Sequence, residues 1–115
     1  MTDEKLAETI MMYLEKHKGR QKAIARKELL TMLLPYMPEE EKMETKDRRM
    51  RRIYEKLPIV SCAEGLFIPI RAEEIEGFKL YLRAKAIPLF NRFNLVASAY
   101  PNLIPEKGMQ LDLFQ

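Results

Sequence analysis

The stretch Thr45–Ile70 constrains this chain most. It opens with Thr45-Lys-Asp-Arg-Arg-Met-Arg-Arg-Ile-Tyr-Glu-Lys-Leu57 and continues with Pro58-Ile-Val-Ser-Cys-Ala-Glu-Gly65-Leu-Phe-Ile-Pro-Ile70. In the first half, Met50, Ile53, Tyr54 and Leu57 recur at i, i+3, i+4 and i+7, which is one face of an α-helix. At about 100° per residue, Arg48 and Arg52 point away from that face, with Arg49 and Lys56 on one flank and Arg51 on the other. The second half holds two short apolar runs, Ile59–Ser61 and Leu66–Ile70, around Ala63-Glu64-Gly65. Gly65 supplies the positive φ that a tight hairpin needs.

This order, basic helix then two-stranded hairpin, is the read-out half of a winged helix-turn-helix. The expected fold class is mainly α with a small β-hairpin, a winged helix-turn-helix followed by a long C-terminal helix and a flexible tail. The chain is 115 residues with net charge +3. Residues 45–57 alone carry six basic and two acidic side chains, so the basicity is a local patch and not a diffuse property. The patch predicts DNA contact by Lys46, Arg48, Arg49, Arg51, Arg52 and Lys56, with Glu64 and Gly65 at the wing tip. The competing reading is a solvated arginine-rich helix over a small core.

The remaining segments fit around this centre. Thr2 is an expected N-cap, and Leu6, Ile10, Tyr13, Leu14 and His17 give helix 1 a stripe over about Asp3–Lys18. Ala23-Ile24-Ala25 reads as a short first strand pairing with the wing. Helix 2 spans Arg26–Leu34, turns Leu29, Leu30, Leu33 and Leu34 inward, and stops at Pro35. Tyr36–Glu44 is a longer turn than the usual three or four residues, or holds a helical turn opened by Pro38. Its run Glu39-Glu40-Glu41 reads as a solvated loop, with tuning of DNA affinity or a partner contact as the alternative. Ala72 to about Ala99 is a long helical pattern in which Ile75, Phe78, Leu82, Ala86, Leu89, Phe93, Val96 and Tyr100 recur every three or four residues. Pro88 predicts a kink or two helices there. The stripe exceeds what a small domain needs, so it either doubles back on the core or makes a homodimer through residues 72–100. The expected division is a winged-helix domain over 1–71, a helical segment over 72–100, and a linker with tail over 101–115.

Other classes of function find little support. No apolar run is long enough to span a membrane, and the N-terminus lacks a secretory h-region. One cysteine, Cys62, fits a reducing cytoplasm. The glycines are isolated, so no phosphate loop is present. The single histidine, His17, has no cluster of metal-type partners, and no triad is evident. The expectation is a protein that is not an enzyme, needs no cofactor and binds no metal.

The chain ends Met109-Gln110-Leu111-Asp112-Leu113-Phe114-Gln115, an apolar cluster after a Pro- and Gly-containing linker. Residues 110–114, Gln-Leu-Asp-Leu-Phe, resemble the pentapeptide by which bacterial polymerases and repair proteins bind the sliding clamp, the DNA polymerase III beta subunit. All five positions match that pattern, whose third residue is Ser or Asp. The resemblance implies that Gln110 hydrogen-bonds at the pocket rim and Leu111 packs in the smaller part. It implies further that Leu113 and Phe114 fill the deep apolar part, with Asp112 tolerated. The alternative is that Leu113 and Phe114 fold back on the C-terminal helix.

Residues from Gly19 to about Arg92 also resemble small winged-helix proteins of bacteriophages and prophages, mostly of Gram-positive bacteria. The shared features are Lys22-Ala-Ile-Ala-Arg-Lys-Glu-Leu29, Asp47-Arg48…Arg51-Arg52-Ile53…Leu57, Pro58-Ile-Val-Ser61, Gly65-Leu-Phe-Ile68 and a Glu-rich start to the helix that follows. The extended turn at Tyr36–Glu44 departs from that pattern. The resemblance implies replication or regulation on DNA. Together the features predict a cytoplasmic DNA-binding adaptor that docks on the clamp. The alternatives are a dimeric transcriptional repressor and a protein-interaction module without DNA.

Overall fold

The computed structural model describes residues 1–103. The chain is mainly helical, with one antiparallel hairpin and a long C-terminal helix. Its elements are α1 (Asp3–Leu14), α2 (Arg26–Leu33), α3 (Met43–Tyr54), β1 (Val60–Cys62), β2 (Gly65–Phe67) and α4 (Ala72–Ala99). This is the element order of a winged helix-turn-helix with an added C-terminal helix. Two compact units divide the chain, Met1–Phe78 and a second beginning at Lys79.

Thr2 caps α1, its hydroxyl accepting from the Lys5 amide at 3.2 Å. Leu6, Ile10 and Leu14 are fully buried along one face. The helix stops at Leu14, short of the expected Lys18: the Glu15, Lys16 and His17 amides tighten onto carbonyls three residues back, and the chain then bonds to Ile68. The Ile68 amide donates to the His17 carbonyl at 3.0 Å, and the Gly19 amide donates to the Ile68 carbonyl at 2.9 Å. Gly19 takes φ 88° at this point. The His17 ring lies with Nδ1 2.7 Å from the Lys22 carbonyl, which can only accept, so Nδ1 carries the proton.

The expected first strand is reduced to one pairing residue. Ile24 and Leu66 exchange both amide–carbonyl bonds, at 2.9 and 2.8 Å. Helix α2 then buries Leu29, Leu30 and Leu33. Leu34, expected in the helix and in the core, opens a 3-10 turn with Pro35 and is half-buried. The connection to α3 runs from Leu34 to Lys42 and contains no helix opened by Pro38. Met37, 5% exposed, pins it to the core. Glu39 and Glu40 are exposed, whereas one carboxylate oxygen of Glu41 is buried without a hydrogen-bond partner.

In the hairpin Val60 faces Phe67, Ser61 faces Leu66 and Cys62 faces Gly65. The two loop residues Ala63 and Glu64 have no positive φ, so this is not the primed turn typical of two-residue loops. The strain is carried by Gly65 at φ 124°. A Cβ there would lie 2.2 Å from the Ile24 carbonyl oxygen. Gly65 is therefore required by the close approach of the Ile24 backbone to the wing.

The core joins Leu6, Ile10 and Leu14 of α1, Leu29 and Leu33 of α2, and Met50, Ile53 and Tyr54 of α3, with Ile24 and Leu66 closing it. Helix α4 starts with Glu74 reaching back: its carboxylate accepts from the Ile70 and Arg71 amides at 2.8 and 3.0 Å, and from the Arg20 amide. These amides, Ile70 first, hold the Glu74 carboxyl below its ordinary range. The helix runs unbroken through Pro88, one helix where the sequence allowed two, and none of its residues is buried. Proline removes one amide and so leaves the Ala84 carbonyl without its helical partner. Ala84 is exposed, so water can satisfy that carbonyl.

Candidate nucleic-acid interface

Helix α3 has two chemically opposite faces. Its inward stripe contains Lys46, Met50, Ile53 and Tyr54. Lys46 was expected among the DNA-contacting cations, but it lies one helical turn before Met50 on this stripe and is only 8% exposed. Its aliphatic stem extends the apolar face. Lys46 is thus separate from the outward basic face.

Arg49 also departs from that face. Its Nε donates to Asp3 at 2.8 Å, and one terminal nitrogen donates to the Met1 carbonyl at 2.8 Å. With 17% of its side chain exposed, it joins α3 to the start of α1. The Arg49 hydrogen bond holds the Asp3 carboxyl below its usual range, and Arg52 and Lys56 add to that through space.

Arg48, Arg52 and Lys56 remain. All three are exposed, and none is hydrogen-bonded or ion-paired among the described residues. Arg48 and Arg52 stand at i and i+4, a like-charge spacing that costs an isolated helix about 0.2–0.5 kcal/mol. A polyanion laid across them reverses the sign of that interaction. Arg51 is partly engaged, 3.7 Å from Asp47. Asp47 also lies 3.5 Å from Arg26 at the start of α2, tying the two helices of the helix-turn-helix together. The sequence reading did not single out Arg26, although its place at the first residue of α2 was a usable signal.

The wing tip is more constrained than its sequence suggests. Glu64 accepts from the Arg20 guanidinium, with the Nε contact at 3.0 Å, and from the Cys62 thiol at 3.0 Å. The Cys62 hydrogen bond and the Arg20 contact lower the Glu64 carboxyl from its ordinary 4.5 to about 2. Burial and the adjacent carboxylate push the Cys62 thiol up, so it stays protonated and donates. Arg20 and Glu64 cancel in charge, so the wing tip adds no net charge beside the outward face of α3. Nothing local in the sequence marks Arg20 as a wing residue, since 44 positions separate it from Glu64.

The pentapeptide Gln110, Leu111, Asp112, Leu113 and Phe114 lies outside the described residues. Among the described residues no His, Cys, Asp and Glu side chains group into a metal site, and no helix is long and apolar enough to cross a membrane. Comparison with protein-family models, with curated proteins and with solved structures finds no match to this chain.

Proposed function

We propose that this chain is a cytoplasmic winged-helix adaptor of phage or prophage type, which holds DNA through α3 and docks on the bacterial sliding clamp through residues 110–114, acting in DNA replication. The observation that carries the DNA part is the row Arg48, Arg52 and Lys56. Arg48 and Arg52 are exposed on the face of α3 that the core leaves free, Lys56 is exposed in the turn that follows the helix, and none of the three is ion-paired among the described residues. Phosphate oxygens are their natural partners, and contacts of this kind position a helix on a duplex whatever its sequence. The hairpin follows α3 directly and gives the wing that flanks such a helix.

The clamp part rests on the five-residue match Gln110-Leu-Asp-Leu-Phe114. A short extended peptide anchoring two large side chains in a groove is a common recognition mode. Tethering the winged helix to a clamp that encircles DNA raises its effective concentration at primed sites without further DNA contacts.

The test is a titration of the full chain with a bacterial sliding clamp, beside the Leu113→Ala/Phe114→Ala double variant, with DNA binding measured on both. Micromolar clamp binding that disappears in the variant, with DNA binding unchanged, is the expected result. No clamp binding by the intact chain overturns the adaptor. Protection of a two-fold operator by that same chain would then make it a repressor.

A further inference from the structure

Helix α4 exposes its apolar stripe along its whole length: Ile75, Leu82, Leu89, Phe93 and Val96 are each between 48% and 70% exposed, with Phe78 half-buried. A contiguous apolar face of this kind marks an interaction surface. Its occupant is legible in the order of the residues. Ile75 and Val96 lie at equal distances on either side of the Lys85–Ala86 peptide. So do Phe78 and Phe93, and so do Leu82 and Leu89. The same peptide is the midpoint of α4, Ala72–Ala99. A two-fold axis through that point and perpendicular to the helix therefore exchanges like for like: Ile with Val, Phe with Phe, Leu with Leu.

We infer that α4 pairs with α4 of a second copy of this chain, antiparallel, about a two-fold axis at Lys85–Ala86. A self-complementary patch is what an isologous interface requires, because the same residues must serve both partners. The full helix overlaps in this register, about 42 Å of contact at 1.5 Å per residue. The charges favour the same direction. Glu73, Glu74 and Glu76 crowd the first two turns, whereas Lys79, Arg83, Lys85 and Arg92 are the only charged residues after them in the helix. Antiparallel pairing lays the acidic start beside the uncharged residues 95–98, with Arg92 one turn away opposite Lys79, while parallel pairing stacks glutamates on glutamates. The helix dipoles prefer the antiparallel order as well. Ala86 keeps the crossing point small. Lys85, nearest the axis, is folded back over the Tyr81 ring with Nζ 4.6 Å from its centre, which removes its charge from the meeting point.

Sedimentation equilibrium on the full chain tests this without DNA or clamp, so its outcome is separate from that of the proposed function. The expected result is a concentration-dependent dimer. Leu82→Glu/Leu89→Glu is expected to weaken the dimer at least tenfold while leaving the thermal melt of the winged-helix core in place. A monomer up to about 100 µM, or a dimer indifferent to the double variant, overturns the inference. Orientation is read in a Cys62→Ser background. Ala86→Cys lies beside the axis and forms an intermolecular disulfide readily. Val96→Cys is held about 30 Å from its symmetry mate and does not. Ready cross-linking of Val96→Cys overturns the antiparallel arrangement.

Discussion

Helices α1, α2 and α3 each bury three or more residues, while α4, more than twice as long as any of them, buries none. All four carry apolar residues at spacings of three and four. What differs is the cover. In α1 to α3 every stripe meets another stripe, with Ile24 and Leu66 of the small sheet closing the centre. In α4 no residue of the stripe is buried. A hydrophobic period thus tells which face of a helix seeks company, but not whether the company is in the same molecule. The contrast also bears on function: α3 hides its apolar face and presents cations, whereas α4 presents its apolar face.

The sharpest way to break this comparison is truncation in each region. Leu29→Ala in α2 removes a fully buried side chain and should cost about 2–5 kcal/mol in urea unfolding. Leu95→Ala in α4, 73% exposed and off the stripe, should stay within about 0.5 kcal/mol. Equal effects would mean that α4 is packed as tightly as the rest. Next in size is Gly65→Ala. Its Cβ would collide with the Ile24 carbonyl, so about 1–3 kcal/mol of strain is expected, read as a fall in Tm. An unchanged Tm would show that Ile24 and the wing are not held in contact.

A smaller effect separates the two kinds of arginine on α3. Arg49→Ala should lower Tm measurably, since Met1 and Asp3 lose their partner, yet leave the salt dependence of DNA binding alone. Arg48→Ala should do the reverse. The smallest effect is acid sensitivity at the wing. The folded value of Glu64, about 2, lies below its ordinary 4.5, so the unfolded chain takes up this proton first. The stabilisation is complete above about pH 4.5 and fades as pH falls toward 2. Glu64→Gln should flatten that part of an acid titration followed by circular dichroism; an identical acid limb in both proteins would mean that the Arg20–Cys62–Glu64 cluster does not form.

Much of the fold was readable because it obeys local rules. The Thr2 cap, the Leu29–Leu33 face and the Met50–Ile53–Tyr54 stripe follow from capping chemistry and a 3.6-residue period. The pairing of Ile24 with the wing was legible from its apolar context. The end of α1 was not, because His17 and Gly19 form long-range bonds to Ile68 that no local signal announces. For a related reason Pro88 does not divide α4 in two: an exposed helix tolerates a lost internal bond when water reaches the freed carbonyl.

The basic patch was legible as a patch, and the helical angle already set Arg48 and Arg52 outward; the partners of the other cations were not legible. Charge counting treats Lys46, Arg48, Arg49, Arg51 and Arg52 alike. The fold sorts them by angle and by neighbour: Lys46 goes inward, Arg49 goes to α1, Arg51 leans on Asp47, and Arg48 and Arg52 are left to solvent. Arg20 and Arg26 were missed because their partners, Glu64 and Asp47, are distant in sequence.

The outward face of α3 is expected to hold phosphate. The direct measurement is the affinity of the full chain for duplex DNA across a range of salt, beside Arg48→Ala/Arg52→Ala. Each lost phosphate contact should make the slope of log K against log salt shallower by about 0.9, so the double variant should lose close to two units of slope at unchanged Tm. Equal slopes for the two proteins, or DNA binding indifferent to salt, would contradict the assignment of this face.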